Sequence, residues 1–364
     1  MTVEIRDKNL YYVGGVVRDE ILGVLSFDTD FCYEGNAIEF AKRKGFEIIK
    51  ENLAFGTVRV VIDGEEVDIA STRMESYPKK GHLPIVGNIG CALRDDLARR
   101  DFTINALAKN TVTGEIIDYF DGIKDLKSKK IRVLHNNSFI DDPTRILRAL
   151  KFAVRFDFEL DEYTQNLQDE YLNNINYDVC FHRLKKELKD TFNLNSELAY
   201  EKFIRQKIYK LINPVSSVLL PNYSIKELVE EFNPENIWLI YLGIFDLSNF
   251  ELTKTEANII SSYNSIKNNR PKSDFEIYKM FENVPKEAVL LYAAYVNSEV
   301  ALKYLRELSL LKIEISGLDL KNMGYLQGKI YKEIFDYLIE QKISGNLLNK
   351  EDEIKAIKDR FRCC

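Results

Sequence analysis

The chain has 364 residues, 45% hydrophobic and 30% charged, which excludes a disordered polymer, a collagen-like chain and a disulfide miniprotein. Lys and Arg number 51 against 57 Asp and Glu, a net charge of −6, so any phosphate-binding surface must come from local clusters and not from a basic coat. The longest charge-free run with a helical pattern, Ala288–Ser298, falls short of the ~18–20 apolar residues that span a bilayer, and the first residues lack a basic-then-apolar leader.

Twelve of the seventeen glycines lie in the first 125 residues, where most β-type runs also fall. Tyr11–Val13 reads as a strand end and Val16–Leu22 as a helix start, joined by Gly14-Gly15. Val58–Ile62 and Glu66–Ala70 are β-branched runs around Asp63-Gly64, a hairpin signal. Arg73 to Asp95, with Pro78, Gly81, Pro84 and Gly87, reads as a long loop. Glu115–Tyr119 is a further strand after the turn Thr113-Gly114. From about residue 139 the apolar spacing is helical, for example over Phe181–Phe192 and Lys329–Lys342, with breaks at Asn213–Asn222 and near Asn269–Lys272. The pattern predicts an α/β head followed by an all-α remainder.

Three clusters carry chemistry. A Gly14-Gly15 turn between strand and helix lets backbone N–H groups approach a phosphate, and Arg18 adds a full positive charge. Asp28 and Asp30, at i and i+2 on a strand, project from one face, where two carboxylates repel unless a cation lies between them; Mg²⁺ suits such an oxygen pair. Asp68 is placed to add a third carboxylate from a neighbouring strand, or to be a solvated strand position. The second cluster is Asp96-Leu-Ala-Arg-Arg100-Asp-Phe-Thr-Ile-Asn-Ala-Leu107.

The third cluster runs from Asp141 to Ala149. At ~100° per residue, Ile146, Leu147, Leu150, Ala153 and Val154 share an apolar face, and Arg148, Lys151 and Arg155 share a basic one. Pro143 fits a first helical turn, which makes Asp142 the N-cap, and Asp142 and Arg145 are neighbours beside the apolar stripe. These residues fit a capped helix with a solvated ion pair. They also fit base recognition, because cytosine and adenine both present an amine donor beside a ring-nitrogen acceptor. An Asp acceptor beside an Arg donor complements that edge and mismatches guanine and uracil.

Taken in order, Gly-Gly-x-Val-Arg-Asp, Asp-x-Asp, Arg-Arg-Asp-Phe-Thr-Ile-Asn-Ala-Leu and Asp-Asp-Pro-Thr-Arg-Ile-Leu-Arg-Ala resemble the class II tRNA nucleotidyltransferases. That family holds CCA-adding, CC-adding and A-adding enzymes and bacterial poly(A) polymerases. Phe181–Leu188 resembles its neck helix, and Gly317-Leu-Asp-Leu with Gly324, Gly328, Gly345 and Glu353 resembles the tail of bacterial members. The resemblance implies an α+β fold: a DNA polymerase beta-like head of mixed sheet and helices over 1–138, then a helical neck (139–194), body (195–300) and tRNA-binding tail (301–364).

It implies two-metal transfer of C and A from CTP and ATP to the 3′ end of tRNA. Asp28 and Asp30 would hold Mg²⁺, with Asp68 as a third catalytic carboxylate. Gly14, Gly15, Arg18, Arg100, Asp142, Arg145 and Arg148 would bind the nucleotide, and Arg148, Lys151 and Arg155 the RNA. The 73–95 loop corresponds to one linked in the family to the switch from CTP to ATP. CC-only or A-only addition and, further off, poly(A) synthesis are the alternatives. Five cysteines (Cys32, Cys91, Cys180, Cys363, Cys364) without CxxC spacing fit a reduced, cytoplasmic compartment, with no structural zinc and no membrane partner.

Overall fold

A computed structural model describes residues 5–25, 29–175, 179–214 and 218–361. The chain packs as two compact units, Met1–Ser216 with Ser248–Phe250 and Ser217–Leu247 with Glu251–Cys364.

The first unit opens with β1 (Leu10–Val13), α1 (Gly15–Leu22), β2 (Asp30–Tyr33) and α2 (Ala37–Lys44). The Asn36 side chain accepts from the N–H groups of Ile38 and Glu39, and Gly45 at φ 72° ends the helix, so α2 is capped at both ends. Next come β3 (Glu47–Asn52), β4 (Thr57–Ile62) and β5 (Glu65–Ser71). Asp63 (φ 53°) and Gly64 (φ 84°) supply the two left-handed residues of the expected hairpin.

The 73–95 segment is not a loop. It contains β6 (Arg73–Ser76) and β7 (Ile85–Ile89), which pair antiparallel as a separate hairpin arm, followed by α3 (Leu93–Ala98). Proline and glycine punctuation, with Ile85 and Met74 exposed, hid these short strands from pattern reading. Then follow β8 (Leu107–Asn110), β9 (Ile116–Asp118), α4 (Gly122–Lys127), β10 (Lys130–Ile131), α5 (Ser138–Asp141), α6 (Thr144–Phe156), β11 (Glu159–Leu160), α7 (Glu162–Asn173), α8 (Phe181–Phe192) and α9 (Glu197–Arg205). The two-residue β11, parallel to β10, interrupts the otherwise helical run after residue 139.

The main sheet has seven strands in the order β3-β4-β5-β2-β1-β8-β9, and β2–β5 is its parallel pair. Side-chain alternation splits it into two faces. Leu10, Phe31, Tyr33, Val58, Val60, Val67 and Ile69 bury against Ile38, Phe40 and Ala41 of α2. Tyr11, Val13, Cys32 and Ala108 bury against Leu93 and Leu97 of α3 on the other. Apolar area buried in both layers contributes to folding the head at ~25 cal/mol per Å².

The second unit is helical: α10 (Ile225–Phe232), α11 (Ile237–Leu242), α12 (Lys254–Ile266), α13 (Asp274–Phe281), α14 (Lys286–Tyr295), α15 (Ser298–Arg306), α16 (Gly317–Asn322), α17 (Lys329–Ile343) and α18 (Lys350–Arg360). The charge-free run at 288–298 contributes most of α14, buried all round between α11, α12 and α15. Among the described residues no helix is long and apolar enough to cross a membrane. Glu353 is fully buried at the end of the chain's apolar tail cluster; its carboxylate accepts from the N–H groups of Glu314 and Ile315 and pairs with Lys342 at 2.7 Å.

Candidate active site

The carboxylates come from strand register. In the parallel β2–β5 pair Asp30 lies opposite Asp68, and in the antiparallel β4–β5 pair Asp68 lies opposite Arg59. Asp30 is in phase with Cys32, and Asp68 is out of phase with Val67 and Ile69. Both therefore stand on the α3 face, away from α2. The third carboxylate is on a neighbouring strand, as expected. Its oxygens are held by Arg59, at 2.8 and 2.7 Å, in an exposed bidentate pair. Asp28 lies outside the described residues. Among the described residues no cluster of three or more His, Cys, Asp or Glu is placed to hold a metal.

The glycine turn sits beside this row. Gly14 caps α1 at φ 68°, where a side chain is strained, and a Cβ there would come within 2.9 Å of Arg100 Nη1. Glycine at 14 thus serves the turn and the approach of the second cluster. Arg18 is buried, donating from Nε to Asp19 Oδ1 (2.8 Å) and from Nη1 to Asn105 Oδ1 (2.5 Å). Its guanidinium lies over the rings of Phe152 and Phe156, 5.1 and 4.7 Å from their centres. Burial lowers its pKa from the ordinary value, and Asp19 opposes that.

In the second cluster Asp96 is fully buried and pairs with Arg99 (2.7 Å) and Arg100 (3.2 Å). Burial would raise its pKa; the Arg100 and Arg99 charges outweigh burial and hold it below the usual value. Arg100 Nε is buried with no hydrogen-bond partner. Asp101 is likewise held low: burial is outweighed by Arg148, at 2.6 Å, and by Asn105, and the same pair raises Arg148.

The third cluster departs from its expected arrangement. Pro143, and not Asp142, takes the N-cap position of α6; Asp142, one residue earlier, still holds the start of the helix, since Oδ1 accepts from Thr144 N–H (3.1 Å) and Thr144 Oγ1 (2.6 Å). Yet Asp142 and Arg145 form neither a solvated pair nor a pair with each other; they are 6% and 4% exposed. Asp142 Oδ2 instead takes Arg183 Nη2 of α8 at 2.5 Å. Arg145 donates to Ser138 Oγ (2.7 Å) and to the Arg99 carbonyl (2.9 Å), with Tyr77 and His135 alongside. Helical neighbours at i and i+3 were overridden by tertiary partners. The basic face is also internally matched: Arg148 meets Asp101, Lys151 meets Glu187 at 3.0 Å, and Arg155 meets Asp19 at 3.3 Å.

One cavity of about 760 Å³ gathers Gly14, Gly15, Arg18, Asp30, Arg100, Asp142, Arg145, Arg148, Lys151 and Arg155. Pattern reading missed Arg183, Tyr77, Arg73 and Arg99, which line it too. A second cavity, of about 460 Å³, carries Lys50, Arg59 and Asp68 and shares Asp30, Arg73, Arg99 and Arg100 with the first.

A mixed sheet with in-register carboxylates beside a glycine turn defines a nucleotidyltransferase head, and residues 10–132 match the family model described as the poly(A) polymerase head domain. An A-adding tRNA nucleotidyltransferase of Halalkalibacterium halodurans is 30% identical, over 97% of this chain and 89% of that protein. The chain belongs to the class II tRNA nucleotidyltransferases. An A-adding tRNA nucleotidyltransferase of Aquifex aeolicus is 33% identical over 88% of this chain; the chain spans only 43% of that protein's length. Among solved structures, a Thermotoga maritima CCA-adding enzyme complexed with tRNA has a TM-score of 0.74 and 27% identity, covering 96% of this chain and 90% of that one.

Proposed function

We propose that the chain adds C and A nucleotides to the 3′ end of tRNA, using CTP and ATP and releasing pyrophosphate. The observation that carries this is the single cavity joining Asp30 and the Gly14–Gly15 turn to Asp142 and Arg145. A triphosphate fits at the N-terminus of α1, where backbone N–H groups and the helix dipole favour an anion. The base then reaches Asp142 and Arg145. Their fixed partners aim an acceptor and a donor, and the pairing edge of C or A supplies the complement.

Asp30 and Asp68, hard oxygen donors in register, suit Mg²⁺, and with Asp28 they are the residues that would hold it. When bound, the metal supplies a lowered pKa at the attacking hydroxyl and charge to offset the leaving pyrophosphate. Arg100, backed by Asp96, lies against Gly14 and lines both cavities with Asp30, where it would contact the phosphates. Arg148, Lys151 and Arg155 line the same cavity, and we assign them to contact with the body of the RNA and not with its reacting 3′ end. We assign the catalytic head to 1–138, the base-reading neck to 139–194, the body to 195–300 and tRNA contact to 301–364. Cys32, Cys91 and Cys180 are free thiols, which fits the cytoplasm.

A second reading, addition of A alone, is favoured by the Halalkalibacterium and Aquifex relatives, both A-adding enzymes. The test supplies tRNA ending at the discriminator base, or at CC, with CTP, ATP or both, and sequences the 3′ ends. CCA on the first substrate supports the main reading. A added only to the CC-ended substrate supports the second. Homopolymer A would identify a poly(A) polymerase, and no extension of either RNA would refute the proposal.

A further inference from the structure

Across four adjacent strands, β2, β5, β4 and β3, the register sets Asp30, Asp68, Arg59 and Lys50 side by side. A bulge between Ile48 and Lys50 helps make this row. Without the extra residue Lys50 would share the apolar face with Ile48; with it, Lys50 joins Arg59 on the open face and lines the same cavity. The row therefore runs from two carboxylates to two cations, with Lys50 about 14 Å from Asp30 at ~4.8 Å per strand.

Asp30 borders both cavities, and the strand order divides their other linings about β2: β1, which leads into the glycine turn, lies on one side, and β5, β4 and β3, with Asp68, Arg59 and Lys50, on the other. Phosphoryl transfer in line requires the attacking oxygen and the leaving pyrophosphate on opposite sides of the phosphorus. If the triphosphate lies at Gly14–Gly15, the RNA 3′-hydroxyl must approach from the β5–β4 side.

We infer that Arg59, with Lys50 beside it, binds the last phosphodiester of the RNA strand, and that this contact frees Asp68 to face the reacting 3′ end. The inference deepens the function proposed above and rests on it. Arg59 now holds both Asp68 oxygens. A guanidinium binds a phosphate with the same two-pronged geometry, and an exposed carboxylate pair is weakly held, so exchange of one anion for the other is feasible. The third carboxylate then becomes available when RNA is in place.

The test compares the full-length protein with Arg59→Ala on two tRNA substrates, one natural and one with a neutral methylphosphonate at its last internucleotide linkage. Arg59 is half exposed on a sheet face, so the variant keeps the fold, which circular dichroism verifies. For the unaltered protein, the neutral linkage should lower kcat/KM about tenfold, the order of one charged hydrogen bond. Arg59→Ala should lose about tenfold on natural tRNA, lose nothing further on the neutral linkage, and show an unchanged KM for the nucleotide. A variant as sensitive to the neutral linkage as the unaltered protein overturns the inference. So does a nucleotide KM that rises as much as the RNA KM. If the unaltered protein extends no tRNA at all, the proposed function itself fails, and the inference falls with it.

Discussion

Asp142→Asn should erase base choice while sparing the fold. Asparagine keeps the oxygen that accepts from Thr144 N–H and Oγ1, so the hold on the start of α6 is retained. What changes is the other arm. Oδ2, now bonded to Arg183 Nη2 at 2.5 Å, becomes an NH₂ group that cannot accept. Arg183 is a quarter exposed on its side chain, so water relieves part of its loss, and the stability cost should stay near ~1–2 kcal/mol. Inside the cavity the effect is larger in kind. An acceptor becomes a donor, so the amine of C or A meets a donor and the carbonyl of U or G meets a partner. One exchanged hydrogen bond is worth about 1–3 kcal/mol, or roughly 5- to 150-fold in relative selectivity. The assay is kcat/KM for CTP, ATP, UTP and GTP on one tRNA, with thermal melts alongside. Equal slowing of all four nucleotides would refute the argument and leave Asp142 as the structural partner of Arg183.

Three further outcomes follow from buried polar groups. Arg145→Ala should cost about 2–4 kcal/mol in urea unfolding, because it strands Ser138 and the Arg99 carbonyl inside the protein; a cost below ~0.5 kcal/mol would mean that the site is solvated after all. Asp101 has a folded pKa below its unfolded value of 3.8, so its stabilisation is complete above that value and fades as pH falls through the lower folded value. Melting temperatures taken downward from neutral pH should drop below about pH 4, and Asp101→Asn should start lower at neutral pH and drop less. In the second unit, Glu353→Gln leaves Lys342 buried without its counter-charge and should cost about 3–5 kcal/mol, read as a lower urea midpoint.

The features that could be read from sequence are those whose cause is local. Asp63-Gly64 forces a left-handed turn whatever surrounds it, and the hairpin is there. The Gly14-Gly15 turn likewise follows from two adjacent residues. The reason that Gly14 must be glycine is only half local, since the other half is Arg100, brought from a different element to within 2.9 Å of a Cβ. Asp68 could be named as a candidate from its strand pattern. Its register opposite Asp30 depends on β2 pairing in parallel with β5 across an intervening helix and hairpin, and its bidentate hold on Arg59 depends on a second register.

Asp142 and Arg145 show the limit most clearly. Helical spacing identified the two side chains that share a cavity, because Arg145 lies in the first turn of α6 and Asp142 just before it. It could not supply their partners. Arg183 lies 41 residues away on α8, and the Arg99 carbonyl lies 46 residues away beyond α3. Those partners decide the chemistry. A solvated ion pair would let each side chain rotate and would satisfy both charges internally. Two buried side chains anchored separately, one by Arg183 and one by Ser138 and Arg99, have fixed directions and do not neutralise one another. An acceptor and a donor held apart in this way retain the capacity to pair with a third group, and a base edge that sets a donor beside an acceptor has the complementary pattern.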